Sequence, residues 1–264
     1  MAFTKLDDYI AAAKQRVQWG KTATRTTVAA TWFSLFDIAG NPGGGTLAGS
    51  STAAGVVPSD ATAGYPVIDA FGGINLGYLS RVEFGSTVAC RFTIFDRLFL
   101  AGAYAFNANT TLASQPSYAS RLPLTSYGGL QIWVEMVTAA TGNQAVAVTY
   151  TNELGVTARS TGAVGIGAAP TVGRCWQLPL QAGDAGVQKI ESVVGSVASA
   201  GTFNVMVLRP LWSGRVRLAN DGDVHDMFKT GLRQIFSDSA LYVLVNADST
   251  SSGIPEMAIE VANG

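Results

Sequence analysis

The sequence predicts a mainly β protein: an antiparallel β-sandwich or jelly-roll-like domain with an N-terminal helix. Three observations predict it. From Leu130 to Leu211, apolar-rich runs alternate with short turns of Gly, Ser, Thr and Asn. The intervals between these runs are too short for crossover helices, which disfavours a parallel α/β sheet. The chain also carries 30 glycines and only 13% charged residues in 264, a composition that suits many turns and a surface of small uncharged side chains. No composition break divides the chain, so the expected organisation is a helical arm over residues 1–20 and one principal β-rich domain with long loops over 21–264.

Taken in order, residues 4–18 read as a helix. Thr4 can cap it, Asp7 completes an imperfect capping box, and Leu6, Ile10, Ala13 and Val17 recur at helical spacing until Gly20 ends the pattern. Val28 to Ile38 reads as an aromatic-rich strand that stops at the glycine cluster Gly40 to Gly45. No Gly-Lys-Ser/Thr follows that cluster, so a phosphate loop is excluded. Thr46 to Pro66 reads as a long extended loop, of a kind that contact with a partner helps explain. Strands follow at Tyr78–Phe84 and Val88–Phe95, then Arg97 to Gly102 and an irregular stretch from Ala103 to Tyr127 broken by Pro116 and Pro123.

Leu130–Val137 and Gln144–Thr151 read as an antiparallel pair joined by the turn Thr141-Gly142-Asn143. Cys175–Leu180, Val187–Val194 and Gly201–Leu208 continue the sheet. Trp212–Ala219 is a further run, Asn220–Asp226 a polar loop, and Ala240–Asn246 and Pro255–Ala262 the last strands. Cys90 and Cys175 are expected as free thiols buried inside apolar strands.

The side chains do not assemble a recognisable catalytic set, and the expected catalytic, cofactor-binding and metal sites are none. His225 is the only histidine and lies in a charged loop beside Asp223 and Asp226, without the Gly-x-Ser-x-Gly elbow of a serine hydrolase. Zinc needs more His and Cys ligands than the chain has. Asp221, Asp223 and Asp226 around Gly222 offer oxygens for calcium, but the spacing fails the EF-hand rule. Glu135, Glu153, Asp184, Glu191, Glu256 and Glu260 are carboxylates from which a glycosidase pair would have to come. Lys189 and Glu191 suit the solvent face of a strand. Trp32, Trp133, Trp176 and Trp212 could line a sugar platform, although the flanks of Trp133 and Trp176 suit a core. A net charge of −1 without any Lys/Arg block excludes direct nucleic-acid binding. Residues 1–19 contain no apolar signal-peptide core, and the absence of an 18-residue apolar run argues against a membrane span. Low charge density favours permanent contact between copies.

The stretches Trp32–Gly43, Asp69–Gly73 with Gly77–Arg81, Phe203–Trp212 and Asp238–Val245 resemble virion structural proteins of tailed bacteriophages, in particular head-associated or capsid decoration proteins. That resemblance implies a non-enzymatic capsid decoration or cement protein on the outer head surface, assembled in the host cytoplasm. It also implies self-association, for instance as a trimer, and contact with a major capsid or other virion protein. The alternative is a tail-associated structural or host-glycan-binding β-sandwich. The arm over residues 1–20 or the Gly40–Pro66 loop is the expected contact.

Overall fold

A computed structural model describes residues 3–72, 76–168, 170–197 and 200–264. Met1 and Ala2 of the expected arm, and Gly73 in one of the quoted stretches, lie outside the described residues. The chain is mainly β with antiparallel pairing and an N-terminal helix, the fold class that its sequence predicts.

It divides into two compact units, Met1–Gly45 with Ser59–Asp96 and Leu211–Gly264, and Thr46–Pro58 with Arg97–Pro210. Each unit has its own core. The first unit holds α1 (Leu6–Ala11), β1 (Lys14–Lys21), β2 (Trp32–Ser34), β3 (Gly40–Asn41), β4 (Gly77–Ser86) and the start of β5 (Cys90–Ala105). The second takes the rest of β5, then β6 (Asn109–Thr111), β7 (Gln131–Thr138), β8 (Asn143–Asn152), β9 (Arg159–Ser160), β10 (Val164–Ala168), β11 (Arg174–Leu178), β12 (Val187–Gly195) and most of β13 (Thr202–Val216). The chain returns to the first unit through the end of β13, β14 (Asp221–His225), α2 (Met227–Thr230), β15 (Gln234–Ile235), β16 (Leu241–Ala247) and β17 (Pro255–Asn263).

In the first unit a sheet of order β14-β4-β17-β1-β3 turns one face inward. Alternation along each strand places Val17 and Trp19 of β1, Val82 and Phe84 of β4, and Met257 and Ile259 of β17 in the core, beside Phe92 and Ile94 of β5 and Val243 and Val245 of β16. Phe84 meets Phe92 and Trp212 edge-on, at centroid distances of 5.8 and 4.8 Å, a favoured aromatic geometry.

The helix is shorter than its apolar spacing predicts. It ends at Ala11, and Lys14–Lys21 is a strand whose residues from Lys14 to Gly20 pair with β17. Val17 fits both periods, but only the period of 2 buries it together with Trp19, and that burial outweighs the weak helical preference of the segment. The cap differs too: Asp8, not Asp7, accepts from the Thr4 hydroxyl at 2.8 Å and from the Thr4 amide at 3.1 Å.

The second unit is also layered. One sheet has the order β10-β8-β12-β6 with β9 beside β8, and β7 pairs with β11 on one side and β13 on the other. The expected β7–β8 hairpin is therefore corrected: the two strands lie in different sheets. Ile132, Val134 and Met136 of β7 and Val146, Val148 and Tyr150 of β8 are all fully buried members of one core. Apolar rows of that kind gain more by facing each other across a core than by lying side by side in one sheet.

Three smaller corrections concern strand lengths. The Val28–Ile38 strand contracts to Trp32–Ser34, the runs at Val88 and Arg97 fuse into β5, and the Trp212 run is the end of β13. Cys90 and Cys175 are free and buried, as expected. Among the described residues no helix is long and apolar enough to cross a membrane.

Candidate functional site

The outward face of the first unit's sheet carries a groove. Strand alternation puts Arg16, Gln18 and Gly20 of β1 outward, in register with Glu260, Ala258 and Glu256 of β17. Glu256 in turn lies opposite Gly85 of β4, and Gly85 opposite Gly222 of β14. Three of the four positions in this row have no side chain, which leaves a groove of about 710 Å³ over the sheet. Glu83 on its floor is held by Arg16 at 2.6 Å and by Arg81 at 2.7 Å. Glu260, opposite Arg16 on β17, accepts from the Ser80 hydroxyl at 2.7 Å and the Tyr9 hydroxyl at 3.3 Å.

The polar Asn220–Asp226 segment is not a loop but the edge strand β14 and the start of α2. Its carboxylates do not converge. Asp221 accepts from the Gly222 amide at 2.8 Å and Asp223 from the Val224 amide at 2.7 Å, while Asp226 caps α2 through the Phe228 and Lys229 amides at 3.1 and 3.3 Å. No group of three or more His, Cys, Asp or Glu side chains among the described residues is placed to hold a metal ion. His225 is seated by the Trp212 indole, whose Nε1–H donates to Nδ1 at 3.0 Å, and its Nε2 lies 3.4 Å from Asp223. The indole bond requires Nδ1 to accept, so the neutral ring carries its proton on Nε2 and points it at Asp223.

The carboxylates of the second unit each secure a loop. Glu153 accepts from the amides of Ala185 and Gly186 at 3.1 and 2.9 Å. Glu191 accepts from the Thr151 hydroxyl at 2.7 Å and the Ala158 amide at 3.1 Å. Asp184 gathers Tyr150, Asn152 and Arg159 at 2.7 to 2.9 Å. The Arg159 hydrogen bond is the main reason its carboxyl falls to about 2, and burial pushes the Tyr150 phenol up to about 12.

A folded-state value below the ordinary one means that Asp184 stabilises the fold fully above about pH 4 and progressively less as pH falls through about 2. The expected result is that Arg159→Ala lowers the urea midpoint near neutrality, and that its gap from the parent closes as pH falls toward 2. A constant gap across that range would contradict the assignment.

Glu135 is fully buried on β7, 3.4 Å from the fully buried Arg97 of β5. Asn204 of β13 donates to Glu135 at 3.1 Å and to the Leu47 carbonyl at 2.7 Å, and accepts from the Gly49 amide at 3.0 Å. Arg121, also buried, donates to the Pro58 carbonyl and, at 3.1 Å, to the Arg97 carbonyl. These groups staple the irregular 46–58 segment to the second unit's sheet. They are structural in placement. Trp133 and Trp212 are buried rather than displayed, and Trp176 packs against the core with the Arg174 guanidinium 4.8 Å above its ring. None of the tryptophans expected as sugar-platform candidates forms an exposed row.

The sequence reading passed over a second depression in the first unit, of about 420 Å³, lined by Arg91, Ser213, Gly214, Arg215, Arg217, Asp223 and His225. The alternation Ser213, Arg215, Arg217 was the available signal. Arg91 joins them only through the pairing of strands.

No family model matches the chain, and no curated protein does. Solved structures that it matches include infectious bursal virus derived T=1 particles, at 11% identity over 96% of this chain and 77% of that one, with a TM-score of 0.20. They also include the VP2 subviral particle of infectious bursal disease virus, at 11% identity over 96% of this chain and 80% of that one, again with a TM-score of 0.20. Likeness at that level transfers neither fold nor function. These matches are to infectious bursal disease virus and not to a tailed bacteriophage, and they correct the phage resemblance read from the sequence.

Proposed function

We propose that the chain is a non-enzymatic structural protein of a viral capsid, and that it works by self-association rather than by chemistry. The observation that carries this reading is α1. The helix buries none of its residues, and Leu6 and Ile10, four apart and so on one face, are 56% and 64% exposed. The strand that follows anchors the helix to its own sheet, while the apolar pair faces solvent. A neighbouring copy that covered this pair would recover the burial its own chain leaves unused, about 25 cal/mol for each Å² removed from water. The weak overall charge of −1 with 13% charged residues imposes little repulsion on copies brought together. The open groove over the same unit adds concave surface to the contact.

The test is Leu6→Ser/Ile10→Ser. Neither side chain supports the monomer core, so thermal unfolding should match the parent while sedimentation shows assemblies that dissociate at tenfold or more higher protein concentration than the parent's. Parental sedimentation in the double variant would remove α1 from the contact.

A further inference from the structure

We propose that the depression lined by Arg91, Ser213, Arg215 and Arg217 is a binding site for a sulfated or phosphorylated saccharide. The position goes beyond self-association, because it would give the assembled protein a ligand of its own.

Three observations carry it. The first is uncompensated charge: among the described residues Arg91 and Arg217 have no ion-pair or hydrogen-bond partner for their guanidinium groups, in a chain with only 17 basic side chains. Arg215 is tied to Asp248 by a single contact at 3.1 Å, with both side chains about half exposed, a pairing of little net worth that an incoming oxyanion can replace.

The second is the kind of cation. All three are arginines, whose planar fork matches the oxygens of a tetrahedral sulfate or phosphate, whereas lysine offers a point charge. The third is the lining. Every residue of the depression is polar or glycine, so it offers no wall to an acyl chain. A hydroxyl-rich ligand bearing an oxyanion satisfies such a surface.

The geometry behind the arginines is fixed. The Ser213 hydroxyl donates to the Phe92 carbonyl at 3.0 Å, joining β13 to β5 and holding Arg91 near the Arg215 row. Gly214 between them has no room for a side chain, since a Cβ would stand 2.4 Å from the Trp212 ring and 2.7 Å from Phe84. Two carboxylates oppose the charge. Asp223 is engaged by the Val224 amide and by His225, and Asp248 by Arg215. That leaves the open side of the depression to Arg91 and Arg217.

The test is calorimetry on the full chain with a sulfated hexasaccharide, its desulfated counterpart and a phosphorylated monosaccharide. The parent should bind the sulfated or the phosphorylated sugar and not the desulfated one, with affinity falling as salt is raised. The outcome of the two charged arms identifies which oxyanion is preferred. Arg91→Ala/Arg217→Ala should weaken binding at least tenfold at an unchanged melting temperature, and Arg91→Lys/Arg217→Lys should recover only part of the loss. Equal binding of the sulfated and desulfated sugars, unchanged binding by the alanine variant, or no binding of either charged sugar at millimolar concentration would each overturn the site. None of these results bears on Leu6 and Ile10, so the failure of the site and the failure of the self-association reading are separable.

Discussion

Glu135→Ala is expected to lower the stability of the protein by about 3–5 kcal/mol, the range for breaking a buried ion pair from one side. The substitution removes three things at once. It leaves the Arg97 guanidinium, fully buried, without the carboxylate that offsets its desolvation. It takes an acceptor from the Asn204 amide, which then holds the Leu47 carbonyl alone. It also opens space in a strand whose neighbours Val134 and Met136 are fully buried. Against a typical total of about 5–15 kcal/mol, such a loss is large.

Urea unfolding followed by tryptophan fluorescence measures it. A second variant separates charge from packing: Arg97→Met/Glu135→Leu replaces both partners with apolar groups of similar size and should recover much of the loss, because burying an ion pair costs nearly as much as the pair returns. If Glu135→Ala unfolded at the parental midpoint, the pair would be screened or hydrated in solution and the staple would rest on Asn204 and Arg121.

The strands legible in the sequence are those whose burial is local in pattern. β12 and β17 show outward polar residues at regular positions, Lys189 with Glu191 and Glu256 with Glu260, and their bounds lie within two residues of those predicted. β7 and β8 were also legible as strands. Their pairing was not, because an apolar row buried across a core and one buried beside a neighbour look alike in sequence. Their different sheets follow from partners at β11, β12 and β13, which no local pattern names.

The polar interior was hidden for a related reason. Asn204 sits between Phe203 and Val205 in an apolar run, and nothing around it signals that its amide meets Leu47, Gly49 and Glu135. The phage resemblance failed differently: similarity of apolar and glycine texture is shared by many β proteins and carries no diagnostic residue.

The second large effect distinguishes two truncations that the sequence alone would treat as one arm. Removing residues 1–12 should leave the first unit folded, since α1 buries none of its residues. Removing residues 1–20 should unfold that unit. The longer deletion strips β17 of its β1 partner from Lys14 to Gly20 and removes the partner of Asn41 on β3. It also deletes Val17 and Trp19, 6% and 5% exposed, from the core. Loss of a buried tryptophan alone costs about 3–5 kcal/mol, and β17, left as an edge strand beside β4, adds exposed backbone groups along its length.

Circular dichroism and thermal unfolding of the two truncations make the comparison. A parental melt after removal of residues 1–20 would show that β1 contributes nothing to the sheet, contrary to its register. The distinction also decides how assembly is to be tested. A chain lacking residues 1–20 would fail to self-associate because its sheet is broken, whatever the helix does. Only the cut before Ala13, or the exchange of Leu6 and Ile10, asks whether the exposed apolar face of α1 joins one copy to the next.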